Sequence, residues 1–185
     1  VVISQDPNQI NYNPILKSQN QSGIEFTYSV WLWIKELAKD NKEQHIFHKG
    51  SNTKDGFPDI GPGLFLDKSQ NKLIVKMSTL HNREERVEIP DIPLKKWVCV
   101  QLVLQHIDAH TEDNDGYVDP DVQGKTHILD VYINGKNKKS MLFDHSPKQN
   151  DGNVWVNKGG GFSGYLSKMK YFAKALNFEE IRGLV

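Results

Sequence analysis

The sequence predicts an all-β domain whose antiparallel strands form a sandwich or a barrel. Apolar and polar side chains alternate with a period of two in most segments, as they do in strands that bury one face. Turn-forming residues separate these segments at short intervals, which is typical of sandwiches and barrels. Only two short stretches have helical character, so the core has to be built from strands.

The individual strands are predicted from this alternation. The first extends from Phe26 to Ile34, and because bulky residues occupy both of its faces we expect it to be covered on both sides. The others are predicted at residues 63–67, 72–77, 97–105, 129–133, 139–143, 154–156 and 165–172. We expect these apolar side chains to form the core: Val98, Val100, Leu102, Leu129, Val131 and Met169.

Specific residues mark one turn and one helix start. Asn134-Gly135 predicts a two-residue hairpin, because a type I′ turn needs positive φ at both central positions. Asn177 and Glu180 predict a short C-terminal helix that begins with a capping box. The segment of residues 35–42 is short and rich in charged side chains, and we expect one turn of helix there.

Composition excludes several function classes. The 185 residues carry 23 basic and 23 acidic side chains, so charge alone would not hold nucleic acid or anionic lipid. No apolar run reaches the roughly 20 residues needed to span a bilayer, so we expect no membrane insertion. One cysteine excludes an internal disulfide and a cysteine-based zinc site. We expect a single domain over residues 1–185. Because the first residue is valine, we expect either that a start segment was removed or, as we favour, that the domain is part of a longer chain.

Taken together, the strand motifs resemble those of a known family. They are Phe26-Thr-Tyr-Ser-Val-Trp31, Lys96-Trp97-Val98, Leu129-Asp-Val-Tyr-Ile-Asn-Gly135, Gly161-Phe-Ser-Gly164, residues 166–172 and Ala175-Leu-Asn177. Over residues 24–185 the chain resembles laminin-G-like, concanavalin A-like jelly-roll domains. The resemblance implies a two-sheet antiparallel jelly-roll sandwich with one short C-terminal helix, and it places Trp31 and Trp97 in the core.

The C-terminal half is similar to one branch of these domains. The similar segments are Ser146-Pro-Lys-Gln-Asn150, Val154-Trp-Val156 and Gly159-Gly-Gly-Phe-Ser-Gly164. They resemble segments of virion and surface proteins of giant DNA viruses. The resemblance implies a virion or cell-surface location, with a glycan or another protein surface as the partner.

An acidic loop supplies the strongest metal signal. Its carboxylates are Asp113, Asp115, Asp119 and Asp121, and calcium prefers such closely spaced oxygen ligands in a turning loop. The loop lacks the closing glutamate of an EF-hand, so simple solvation is the alternative. The family resemblance implies a second calcium position, but this chain has Ser167 there instead of aspartate. A weaker signal for zinc comes from His106, Asp108, His110 and His127.

Aromatic residues are the candidate ligand-binding groups. Trp33 and Trp155 are either core residues or surfaces on which a sugar ring stacks, and Tyr132 is the third candidate. A glycoside hydrolase would need paired carboxylates on one strand face, and no such pattern occurs. Asp130 is the only carboxylate at a suitable strand position, and we interpret it as solvent-facing. We therefore expect no catalytic residues.

Three functions remain open at this stage. The sequence favours a non-catalytic glycan-binding or adhesion module of a larger surface or virion protein. The alternatives are a purely structural coat-assembly domain and, third, a polysaccharide lyase or glycoside hydrolase. The sequence leaves the sugar and the oligomeric state open, because specificity depends on loop geometry.

Overall fold

A computed structural model describes residues 1–13, 24–37, 41–51, 59–80, 84–107 and 126–185. These residues form strands and one short helix, which confirms the predicted all-β class. The strands are β1 (Val2–Ile3), β2 (Phe26–Ile34), β3 (Gln44–Gly50), β4 (Ile60–Leu66), β5 (Lys72–Ser78), β6 (Glu84–Pro90), β7 (Trp97–His106), β8 (His127–Ile133), β9 (Lys136–Leu142), β10 (Val154–Val156) and β11 (Gly164–Phe172). The helix is α1 (Phe178–Arg182).

The strands assemble into two antiparallel sheets that pack as a sandwich. The six-stranded sheet has the order β1-β10-β3-β4-β5-β6, and the five-stranded sheet has the order β11-β2-β7-β8-β9. Each inner face contributes alternate residues of its strands to one shared core. The two-sheet antiparallel sandwich predicted from the sequence is therefore confirmed.

The inner face of the five-stranded sheet follows the predicted alternation. The predicted core residues Val98, Val100, Leu102, Leu129 and Val131 are buried, each with at most 1% of its surface exposed. Met169 packs against the same core but stays half-buried, because β11 is the edge strand of its sheet. Burial of these side chains is the main favourable contribution to folding.

Three strands and one helical turn differ from the prediction. The strands β1, β3 and β6 had no clear alternation in sequence and were not predicted. The inner face of β6 consists of Val87 and Ile89, and the charged residues Glu84, Glu85 and Arg86 before them interrupt the apolar pattern in the sequence. The helical turn predicted at residues 35–42 is wrong for the part described, since residues 35–37 and 41–42 are not helical.

The Asn134-Gly135 hairpin is confirmed. Asn134 has a φ of 51° and Gly135 a φ of 72°, as a type I′ turn requires. The Asn134 side chain also accepts a hydrogen bond from the backbone N–H of Cys99, at 2.9 Å, which ties the turn to β7. The tight turn makes β9 begin at Lys136, earlier than the predicted start at Lys139.

The C-terminal helix is confirmed and lies on the outer face of the five-stranded sheet. Leu176 and Ile181 are buried there against Val103, with Leu184 packed at the margin. The helix therefore covers the part of this outer face around Val103. None of the helices in the described ranges has the length and apolar character needed to cross a membrane.

Removing the helix cap is expected to weaken the fold measurably. The Asn177 side chain accepts a hydrogen bond from the backbone N–H of Glu180 at 3.0 Å, and the Glu180 carboxylate accepts one from the Asn177 N–H at 2.9 Å. Asn177→Ala should cost about 1 kcal/mol of unfolding free energy, or roughly 2–4 °C in melting temperature. Asn177→Asp keeps the acceptor and should melt close to the parent. Equal melting of the alanine variant and the parent would show that the cap contributes nothing.

Candidate ligand-binding face

Four aromatic side chains lie together on the outer face of the five-stranded sheet. In β2 the even-numbered residues from Phe26 to Ile34 point into the core, so Trp31 and Trp33 point outward. The strand register places Trp33 between Trp97 of β7 and Tyr165 of β11. We call the set Trp31, Trp33, Trp97 and Tyr165 the aromatic platform.

The aromatic platform is exposed to solvent. Trp97 is 47% exposed and Tyr165 is 65% exposed, while Trp31 and Trp33 are half-buried. The rings of Trp33 and Tyr165 contact each other with centroids 5.5 Å apart. The expectation that Trp31 and Trp97 belong to the core is therefore wrong. Val98 occupies the inward position at the start of β7, so its neighbour Trp97 has to point outward.

A depression of about 270 Å³ lies within this platform. It is lined by Trp31, Trp97, Ser167 and Lys168. The register places Trp31 between Ser167 and Cys99, so the depression lies where β11, β2 and β7 run side by side. Its walls are mainly aromatic, with one hydroxyl and one ammonium group at the edge.

Lys168 reaches this depression because of an irregularity in β11. The register shifts between Ser167 and Lys170, and Lys168 adopts a positive φ of 48°. This conformation is uncommon for a residue with a Cβ. It brings the Lys168 ammonium group to 5.7 Å from the centre of the Trp31 ring.

The three predicted ligand-binding residues do not come together. Trp33 belongs to the aromatic platform. Tyr132 lies on the same outer face but under the cover of α1, packed beside Leu176 and Ile181. Trp155 lies on the other sheet, where its indole N–H donates a hydrogen bond to the carbonyl of Gly50 at 3.0 Å.

Trp155 instead belongs to a cluster with two buried histidines. Its ring stacks on His48 with centroids 6.5 Å apart, and the Lys158 ammonium group lies 4.3 Å from its ring centre. The backbone N–H of Lys158 donates to Nδ1 of His45 at 2.9 Å. Nε2 of His45 lies 2.7 Å from Nδ1 of His48, and Nε2 of His48 lies 3.0 Å from the Ser51 carbonyl oxygen.

This chain of hydrogen bonds fixes the protonation of both histidines. Because Nδ1 of His45 accepts from an N–H, neutral His45 carries its proton on Nε2 and donates it to His48. His48 then carries its proton on Nε2 and donates to the Ser51 carbonyl. Burial, together with the positive charge that His48 would carry, lowers the pKa of His45 from 6.5 to about 3. Burial also lowers the pKa of His48.

The predicted metal sites are only partly covered by the structure. The candidate calcium ligands Asp113, Asp115, Asp119 and Asp121 lie outside the described residues, as do Asp108 and His110. His106 and His127 face each other with ring centroids 5.2 Å apart, and burial lowers the pKa of His127 to about 4. Within the described ranges, no three side chains of the metal-binding types are arranged to hold an ion.

The expectation that Asp130 faces solvent is wrong. Only 8% of its surface is exposed, because β9 covers it. Its carboxylate accepts hydrogen bonds from the Ser140 hydroxyl and, at 3.1 Å, from the Asn137 amide. These bonds give Asp130 a structural role in joining β8 to β9.

The alternation of residues along the strands would have predicted that the four aromatic side chains of the platform point outward. Trp31 and Trp33 stand at positions opposite in parity to the core residues of β2, and Trp97 and Tyr165 likewise precede inward residues. Parity alone places all four on an outer face. It does not show that they meet, because their meeting depends on the register of three strands.

Comparison with known proteins supports the fold. No protein-family model matches the chain, and no curated protein matches it at a significant level. Among solved structures it is similar to the receptor-binding domain of botulinum neurotoxin D, with a TM-score of 0.61, 16% identity, and coverage of 96% of this chain and 39% of that one. It is also similar to the binding domain of botulinum neurotoxin serotype G (TM-score 0.60, 13% identity, coverage 88% and 36%). A third similar structure is the receptor-binding domain of the C/D mosaic serotype (TM-score 0.61, 15% identity, coverage 88% and 36%).

These similarities concern a part of each matched chain. This chain spans less than two-fifths of the length of the three neurotoxin domains. At 13–16% identity the similarity shows a shared β-sandwich fold. The laminin-G-like and viral parts of the sequence resemblance stay predictions.

Proposed function

We propose that this domain is a non-catalytic glycan-binding module that attaches a larger surface or virion protein to carbohydrate. The observation that carries the proposal is the aromatic platform, with Trp97 47% and Tyr165 65% exposed on one face of a sheet. Large exposed aromatic groups that cluster on one face are typical of interaction sites. α1 covers another part of that outer face, around Val103.

The chemistry of the platform suits a sugar ring. A sugar ring has an apolar C–H face that can lie on an aromatic ring, and hydroxyls at its rim that need polar partners. In the depression, Trp31 and Trp97 supply the aromatic surfaces and the Ser167 hydroxyl supplies a polar partner. Pockets for drug-sized ligands have about 300–1,000 Å³. A depression of about 270 Å³ therefore suits one sugar unit of a longer glycan.

Two further considerations support a binding role over catalysis. The similar solved structures are named as receptor-binding or binding domains. Asp130, the carboxylate considered for catalysis, is engaged in hydrogen bonds between strands.

A shallow aromatic site gives weak binding at each copy, so many copies on one surface would supply the avidity. Calcium held by the acidic loop stays a prediction in this proposal.

Replacing Trp97 with alanine tests the proposal. The domain displayed in many copies on beads would be applied to a glycan array, and the best-bound glycan would be titrated by calorimetry. Trp97→Ala should weaken binding by about 30-fold or more, as truncation of a central aromatic contact does in other interfaces. Phe178→Ala is the matched control, because Phe178 is 54% exposed on α1, outside the platform.

The alternatives predict different results in the same experiment. A coat-assembly domain would bind no glycan, and Trp97→Ala would alter its self-association on size-exclusion chromatography. A lyase or hydrolase would release unsaturated sugars or reducing ends from a polysaccharide panel. Either result, or glycan binding that is equal in the parent and Trp97→Ala, would contradict the proposal.

A further inference from the structure

The positive charges beside the aromatic platform indicate what kind of sugar it would take. Lys168 and Lys170 both lie on β11, which borders the platform. Both side chains are exposed, and within the described part of the chain neither forms an ion pair with a carboxylate. Other lysines of the domain do form such pairs, including Lys72 with Glu88 and Lys174 with Glu180.

Lys170 lies on the same outer face as the depression. The register pairs it with Ser29 of β2, an outward-facing residue two positions from Trp31. Burial raises the pKa of the Cys99 thiol, while a hydrogen bond with Ser29 and the ammonium groups of Lys170 and Lys168 oppose this effect. Among the described residues, those that line the depression include no carboxylate that would neutralise these charges.

The backbone of β11 also directs charge toward the platform. Lys168 has a positive φ of 48°, in a region where residues other than glycine are strained by about 1 kcal/mol. A regular strand at this point would avoid that cost. The irregular strand instead places the Lys168 ammonium group over the Trp31 ring, 5.7 Å from its centre.

We propose that the aromatic platform binds an anionic sugar, whose carboxylate or sulfate group is held by Lys168 and Lys170 while its ring lies on Trp31 and Trp97. The inference rests on the proposed glycan-binding function and adds the ligand's charge to it. An ammonium group and an anion form a charge-assisted hydrogen bond, which is about twice as strong as a neutral one. The described lining of the depression has no carboxylate that would repel that anion.

Pairs of oligosaccharides that differ only in charge test this inference. The first pair is a galacturonic acid hexamer and its methyl ester, which tests a carboxylate. The second pair is a sulfated galactan hexamer and its desulfated form, which tests a sulfate. At least one anionic member should bind ten times or more tighter than its neutral partner, as expected for one charge-assisted hydrogen bond. Binding of that member should weaken between 50 and 500 mM NaCl, because salt screens exposed charges.

Variants of Lys168 and Lys170 test whether these two lysines of β11 hold the anionic group of the sugar. Lys168→Gln and Lys170→Gln should each weaken binding of the anionic member about tenfold, and should weaken binding of its neutral partner by a smaller factor. Lys138→Gln is the matched control, since Lys138 is an exposed lysine of β9, away from the platform, and it should have no effect. Circular dichroism of each variant verifies that the fold is retained.

The possible failures are distinguishable. If neutral and anionic members bind equally and Trp97→Ala abolishes both, the charge inference is overturned and the glycan-binding function stands. If anionic members bind tighter but neither lysine variant changes this, the assignment to Lys168 and Lys170 is overturned. If no member binds and only anionic lipid vesicles are retained by the parent, both the inference and the proposed function are overturned.

Discussion

Replacing Val100 with aspartate is expected to abolish folding. Val100 lies in β7, the middle strand of the five-stranded sheet, and is fully buried. Its register partners are Val30 of β2 and Ile133 of β8, so apolar strands flank it on both sides. A buried carboxylate without a partner costs several kcal/mol, and domains are stable by only about 5–15 kcal/mol.

The measurement is the far-ultraviolet circular dichroism and thermal melting of purified Val100→Asp beside the parent. We expect loss of the β signal, or no soluble protein. Lys138→Asp introduces the same carboxylate at an exposed position of β9 and should change the unfolding free energy by about 0.5 kcal/mol or less. A cooperative melt of Val100→Asp within a few degrees of the parent would show that β7 is assigned the wrong inner face.

Acidification from pH 7.5 to pH 5 is expected to destabilise the domain strongly. The pKa of His45 is lowered from 6.5 to about 3 by burial and by repulsion from His48, the N-terminus and Lys158. The pKa of His127 is lowered to about 4, chiefly by burial. The folded state therefore favours the neutral histidines, and the unfolded state binds more protons below pH 6.5.

The direction of the effect follows from these pKa values. The stability from neutral His45 and His127 is fully present above about pH 7 and is lost as the pH falls below 6.5 toward their folded pKa values. At pH 5 the loss should be about 1–2 kcal/mol for each histidine. Protonation of His45 also has a structural cost, because both its ring nitrogens are engaged with Lys158 and His48.

Urea unfolding at pH 7.5, 6.0 and 5.0 measures this loss. His45→Asn removes a titrating group, so the difference between pH 7.5 and pH 5 should shrink by about 1–2 kcal/mol even if the variant is weaker at pH 7.5. His127→Asn should independently reduce the same difference in unfolding free energy by the contribution of His127. Trp155 fluorescence should report the change at the His48 end, since the two rings stack. An unfolding free energy that stays constant from pH 7.5 to 5 would contradict the prediction.

The local sequence was sufficient to predict those elements whose structure depends only on residues within the same segment. The inner faces of β7 and β8 follow from strict alternation, because a strand turns successive side chains to opposite faces. The Asn134-Gly135 turn and the Asn177 cap follow from backbone preferences that act over two to four residues.

The sequence did not predict those segments whose structure depends on contacts with residues remote in the chain. In β3 a register shift between His45 and Phe47 turns Ile46 and Phe47 both toward the core, so alternation is lost. His45 and His48 are also buried, on account of hydrogen bonds to residues remote in sequence such as Lys158. A polar residue buried through a remote partner gives no periodic signal.

The fold class, several of the inner faces, the hairpin and the helix start could be predicted from the sequence, because each depends on residues close together in the chain. Which residues form the candidate site depends on how strands far apart in sequence pack together. The antiparallel register brings Tyr165, Trp33 and Trp97 into one row from three strands far apart in sequence. The docking of α1 then decides that Tyr132 is covered and the aromatic platform stays open, since a helix is positioned by the surface on which it buries its apolar side chains.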